Sequence, residues 1–145
     1  MNNNNTSNII ELFKASYSDM MELELGRLDE LYTEDIVFKD PVHEVRGLPA
    51  MQDYMADIST NVDMCRFEFL DQLVSDSAAY MKWDMHFRHP KLGGGQLITV
   101  RGISQIHFDG RIHYHEDAYD MGQMVYEHVP MIGGVTRWLK ARLAT

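Results

Sequence analysis

From Ile9 to Tyr32 the apolar residues Ile9, Ile10, Phe13, Tyr17, Met20, Met21, Leu25, Leu28 and Leu31 recur at spacings of three and four, the period of a helix with one buried face. The spacing predicts one long helix, or two with a break near Gly26. Residues 33–40 read as a turn leading into a short strand. Residues 48–62 return to the helical period and put Pro49 in the first turn, where its missing N–H costs nothing. Beyond Asn61 the period changes to two. Apolar and polar positions alternate over residues 64–75, 78–89, 96–108 and 111–119, four strands long enough to be neighbours in one curved sheet. Their connections are Ser75-Asp-Ser77, a loop from Pro90 to Gly95 with three glycines, and Asp109-Gly110, a tight-hairpin dipeptide. Such turns imply antiparallel pairing. Helices first and a strand meander afterwards predict an α+β fold, with the helices on one face of a curved antiparallel sheet and a cone-like cavity between the layers.

Alternation also sorts the faces. Met81, Trp83, Met85 and Phe87, then Ile98, Val100, Gly102, Ser104, Ile106 and Phe108, form apolar rows. The same parity in the last strand groups His113, His115, Asp117 and Tyr119. A polar row joined to an apolar wall is the pattern of a pocket with a few polar groups inside it, whereas on an ordinary strand such a row faces solvent. A second acid stands in the run Val37-Phe-Lys-Asp-Pro-Val-His-Glu-Val-Arg-Gly47. Pro41 drives Asp40 into an extended conformation and alternation puts it beside Phe38. A carboxylate sharing a face with a Phe is partly desolvated, which raises its pKa and suits it to act as a general base. The plainer alternative is that Asp40 caps the following turn.

With 145 residues, 45% of them hydrophobic, the chain suits one domain over residues 9–145, preceded by a polar, frayed tract at 1–8. A net charge of −9, from 22 acids against 13 bases, argues against a nucleic-acid surface and for a neutral or cationic ligand. The single Cys65 excludes an internal disulfide and a thiolate zinc site. With no apolar run of membrane-spanning length and no basic-apolar leader, the expectation is a cytoplasmic protein without a membrane partner. His113, His115 and Asp117 sit roughly 6 to 7 Å apart along one strand, too far for three ligands on a straight strand to share one metal. No Gly-x-Ser-x-Gly elbow occurs, and Gly93-Gly94-Gly95 lacks the lysine of a phosphate loop. Residues 131–144 carry Arg137, Lys140 and Arg142 with no acid, beside Trp138, Leu139 and Leu143. This predicts a terminal helix, packed on its own domain or docked on an acidic partner or a membrane surface.

Three stretches, residues 31–41, 102–110 and 111–122, together with the order of elements, resemble the nuclear-transport-factor-2-like superfamily in its SnoaL-like branch, which includes polyketide cyclases and is similar to ketosteroid isomerases. The resemblance implies a cone of helices closed against a bent antiparallel sheet, a homodimer formed through the sheet face, and no cofactor or metal. It places Asp40 where those isomerases hold their proton-shuttling base. Their protonated second acid falls on Ser104 here, and their tyrosine is matched by Tyr17, so the isomerase set is incomplete. It places His115 and Asp117 where cyclases carry an acid/base pair, so Asp40, His115 and Asp117 are the expected catalytic residues. The expected ligand-binding residues are Tyr17, Phe38, Tyr54, Trp83, Phe87, Ser104 and Tyr119. The implied activity is cofactor-free acid/base isomerisation or cyclisation of a small carbonyl compound. The competing reading is a non-catalytic ligand-binding or regulatory domain, because the scaffold alone does not fix function.

Overall fold

The computed structural model describes residues 3–129 and 131–144. Helix α1 (Asn3–Ser18) buries Ile9, Ile10, Phe13 and Tyr17 along one stripe, and Asp19 ends it by capping a single turn at Met20–Glu22. The helical period of residues 9–32 thus resolves into α1, two single turns and the short α2 (Leu28–Leu31), with a break at Asp19 as well as near Gly26. α1 starts at Asn3, inside the polar tract expected to fray; Met1 and Asn2 lie outside the described residues.

Strand β1 (Tyr32–Lys39) follows without a turn, pairs with the short β2 (Glu44–Arg46), and leads into α3 (Leu48–Asn61). Strands β3 (Met64–Val74), β4 (Ala78–Arg88), β5 (Ile98–Asp109) and β6 (Arg111–Tyr119) form the meander. Short α4 (Met121–Met124) and α5 (Ile132–Leu143) complete the chain.

The six strands make one curved sheet in the order β2-β1-β6-β5-β4-β3. It is mixed rather than wholly antiparallel, because β1 lies parallel to β6. The turn signals in the sequence fix only consecutive neighbours, and no tight turn links β1 to β6. The register shifts at three places, one of them in β1 between Tyr32 and Val37, and two bulges lie within the meander. One falls between Phe69 and Asp71 in β3, the other at His113 in β6, where His107 pairs with Tyr114 and Phe108 with Ile112. The second bulge corrects the alternation argument. Ile112 is buried and His113 turns outward to lie near His107, so the inward polar row begins at His115.

α1, α2 and α3 close over the inner sheet face, where Trp83, Met81, Val100, Ile106, Ile36 and Met51 are fully enclosed. Trp83 fits because Gly102 lies across from it: a Cβ there would come within 2.3 Å of the Trp83 ring and 2.8 Å of the Ala118 carbonyl oxygen. Burial of so many large apolar side chains is the main stabilising term of the fold.

Candidate functional site

Inside this apolar shell runs a continuous hydrogen-bonded chain. Tyr17 and Tyr32 meet hydroxyl to hydroxyl at 2.5 Å, and the Tyr32 hydroxyl lies 2.8 Å from His115 Nδ1. His115 Nε2 lies 2.7 Å from Asp117 Oδ1, which also accepts from Ser104 Oγ at 2.5 Å, and Ser104 Oγ accepts from Trp83 Nε1 at 2.9 Å. The direction of the protons follows from the ends. Indole N–H can only donate, so Ser104 spends its own proton on Asp117. With Tyr32 donating to Nδ1, the neutral imidazole carries its proton on Nε2 and points it at the same carboxylate oxygen. Two hydrogen-bonded arms, Tyr17–Tyr32–His115 and Trp83–Ser104, thus end on Oδ1 of Asp117, while Oδ2 has no hydrogen bond among the described residues.

Each member is held by the fold. Tyr17 comes from α1, Tyr32 from the first position of β1, Trp83 from β4, Ser104 from β5, and His115 with Asp117 from β6, where Ser104 and Asp117 are cross-strand partners. His115 is 0% exposed, stacked against Tyr32 and ringed edge-on by Phe13, Tyr17 and Phe38 at centroid distances of 4.9 to 5.7 Å. Burial pushes the hydroxyl pKa values of Tyr17 and Tyr32 well above the usual tyrosine range, so both remain donors. The Asp117 side chain is 11% exposed, the least enclosed group of the pair.

Asp40 occupies a neighbouring station. Its Oδ1 accepts from the backbone N–H groups of Val42 and His43 at 2.8 and 2.6 Å, and its Oδ2 accepts from the Tyr54 hydroxyl at 2.7 Å. The His43 ring nitrogen Nδ1 adds contacts at 3.1 and 3.2 Å. Asp40 therefore does cap the turn between β1 and β2, with its side chain 3% exposed. Burial raises the Tyr54 and Tyr119 hydroxyls above their ordinary value, with the negative charges of both Asp40 and Asp117 adding to the shift. These two tyrosines thus stand in the field of both carboxylates and link the two stations.

Of the residues expected to form the site, Tyr17, Phe38, Tyr54, Trp83, Ser104, His115, Asp117, Tyr119 and Asp40 fall into this connected region. Phe87 does not. It pairs with Ile98, six residues along β5 from Ser104 or about 20 Å of strand, and packs in the far end of the core. Tyr32 and Phe13 escape sequence reasoning because the helical period of residues 9–32 absorbs them. Tyr32 nonetheless shares its strand parity with Ile36, Phe38 and Asp40, a signal that marks it. No group of three or more His, Cys, Asp or Glu among the described residues has metal-holding geometry.

Two clefts lie apart from the buried chain. One, of about 230 Å3, separates α1 from residues 19–31; the other is a shallow depression on the outer sheet face beside His107, His113 and Tyr114. No described helix is long and apolar enough to cross a membrane.

The architecture has solved counterparts. A hypothetical protein of Catenulispora acidiphila with a ketosteroid isomerase-like fold, solved with trimethylamine, shares 12% identity and aligns over 85% of this chain and 92% of its own, with a TM-score of 0.72. TsrD of Streptomyces laurentii shares 19% over 86% and 94%, with a TM-score of 0.68. An unproven SnoaL-like polyketide cyclase of Shewanella putrefaciens shares 18% over 82% and 92%, also with a TM-score of 0.68. These likenesses show the nuclear-transport-factor-2-like fold. No curated protein matches the sequence. The SnoaL-like domain signature matches residues 13–115, from within α1 to His115 in β6, and the chain belongs to the SnoaL-like domain family.

Proposed function

We propose that this domain performs cofactor-free proton transfer on a small carbonyl compound, with Asp117 as the proton carrier. The observation that carries the reading is the asymmetry of the Asp117 carboxylate: Oδ1 takes hydrogen bonds from His115 and Ser104, and Oδ2 takes none among the described residues. A carboxylate fixed in this way presents one oxygen in one orientation, which removes the rotational freedom that a proton transfer would otherwise have to freeze out. Oδ2 accepts a proton from the carbon next to the substrate carbonyl and returns it elsewhere on the enolate. Tyr119, half-buried and kept protonated beside Asp40, is the donor this reading assigns to the developing enolate oxygen once its O–H turns from Asp40.

The roles divide accordingly. His115 is enclosed, with both ring nitrogens engaged, so it positions Asp117 rather than touching substrate. Asp40 holds Tyr54 and the β1–β2 turn. Several proteins of the same fold are named as cyclases or isomerases whose activity is unproven, and chemistry of this class agrees with those names.

The test is exchange of carbon-bound hydrogen for deuterium in small cyclic ketones, followed by NMR in D2O. Wild type accelerates exchange over buffer and Asp117→Asn does not, although both show the same ligand-induced rise in melting temperature. A second reading, ligand binding without chemistry, is favoured by one observation: neither cleft reaches the dyad. Ketones that stabilise the protein while exchange stays at the buffer rate decide for it.

A further inference from the structure

Trp83 lies across the inner sheet face beside the groups to which proton transfer is assigned. Its backbone on β4 pairs with Gly102, and its six-membered ring covers that glycine: an added Cβ there would fall 2.3 and 2.7 Å from two ring carbons. Its N–H reaches along β5 to Ser104 Oγ at 2.9 Å. Both β5 positions have their cross-strand partners on β6, Ser104 with Asp117 and Gly102 with Tyr119. The indole therefore spans the two strand levels that carry the proposed proton carrier and the proposed enolate donor.

The ring is fixed in that place. Trp83 is 1% exposed, and Phe67 meets it edge-on at a centroid distance of 4.7 Å. Moving it aside for a ligand would break a buried hydrogen bond and leave the Ser104 hydroxyl one donor short. Interiors are packed to the density of organic crystals, so the volume the indole fills is closed to substrate atoms. The Asp117 side chain is itself only 11% exposed, which leaves a narrow approach to its free oxygen.

We infer that Trp83, seated on Gly102, sets the size of the substrate: the site takes a carbonyl compound no larger than a single ring and excludes fused rings, whose second ring would need the space of the indole. The inference rests on Asp117 as the proton carrier, because the place of the substrate is taken from the Asp117 and Tyr119 pair. Discrimination of this kind works by repulsion, with bulk placed where the wrong compound has its extra carbon.

Deuterium exchange into cyclohexanone and the fused bicycle 1-decalone, run side by side, tests this. Relative to their buffer rates, wild type should favour cyclohexanone at least about tenfold, the discrimination a filled apolar space gives against added carbon. Trp83→Leu, which opens a void at the Asp117 level, should close that gap. Ser104→Ala cuts the hydrogen bond of the indole and leaves its bulk, so it should slow both ketones and keep their ratio. A wild type that handles 1-decalone as well as cyclohexanone overturns the proposal. So does a Trp83→Leu protein, folded by circular dichroism, that keeps the wild-type ratio, or a ratio that Ser104→Ala shifts as far. Where Trp83→Leu does not fold, Trp83→Phe, with one ring in place of two, decides by the same ratio. Melting temperatures separate the size limit from the proton-transfer reading. If neither ketone exchanges in wild type, that reading fails. The size limit then stands if cyclohexanone alone stabilises wild type and both ketones stabilise the Trp83 variant, and falls if both or neither stabilise wild type.

Discussion

His115 and Asp117, two residues apart on one face of β6, are joined by a 2.7 Å hydrogen bond. Same-face neighbours on a strand stand roughly 6 to 7 Å apart at the backbone, so the contact needs both side chains leaning together. The Tyr32 hydroxyl on one side and Ser104 on the other supply that lean.

Tyr32→Phe should expose how much of the site depends on this support. The change removes the donor to His115 Nδ1 and the partner of Tyr17, leaving polar atoms buried without a bond, which costs about 1–3 kcal/mol. Urea denaturation should show that loss, and ketone exchange should fall about tenfold as Asp117 loosens, in line with the sensitivity of proton transfer to positioning.

Asp40 and Asp117 should behave oppositely. Asp40→Asn keeps an oxygen for the Val42 and His43 N–H groups and should retain most exchange activity, whereas Asp117→Asn should lose it. Equal loss in both variants would make Asp40 a proton carrier as well.

Gly102→Val should displace Trp83, since the nearest ring atom lies only 2.3 Å from the first added carbon. Overpacking of this kind costs about 1–3 kcal/mol. The indole would lose its bond to Ser104, so a red-shifted tryptophan emission and a lower urea midpoint should appear together.

Alkaline pH should unfold the protein through its buried tyrosines. Tyr17, Tyr32, Tyr54 and Tyr119 all have folded-state pKa values above their ordinary value near 10.0. A raised folded pKa gives stability that is full below the unfolded value and lost above it, so the unfolding free energy should be flat up to about pH 9 and fall steeply beyond about pH 10. Tyr17→Phe should make that decline shallower. The buried thiol of Cys65, pushed up to about 12, should resist iodoacetamide at pH 8 until denaturant is added.

Much of this was legible beforehand, for identifiable reasons. The four meander strands were read within two residues of their ends because each is long, alternates cleanly and is bounded by turn residues. The pairing of Ser104 with Asp117 does not follow from clean alternation, because it depends on the extra residue at His113. What stayed hidden is what alternation cannot encode. The parallel contact between β1 and β6 depends on a crossover with no local signature, and β2, three residues long, has no period to detect. Tyr32 is concealed where a helical stripe runs directly into a strand, whereas the capping of the β1–β2 turn by Asp40 is the plainer of the two readings that the Asp-Pro dipeptide offers.

The extra residue at His113 has an effect beyond bending the sheet. It acts as a phase shifter for β6: upstream of it the strand sends Ile112 inward as hydrocarbon, and downstream it sends His115 and Asp117. A strand in strict alternation with that dyad would have turned His113 inward, with a polar ring to satisfy. By spending one unpaired residue, the chain buries an isoleucine at that level and keeps its polar groups for the one level where they bond to each other.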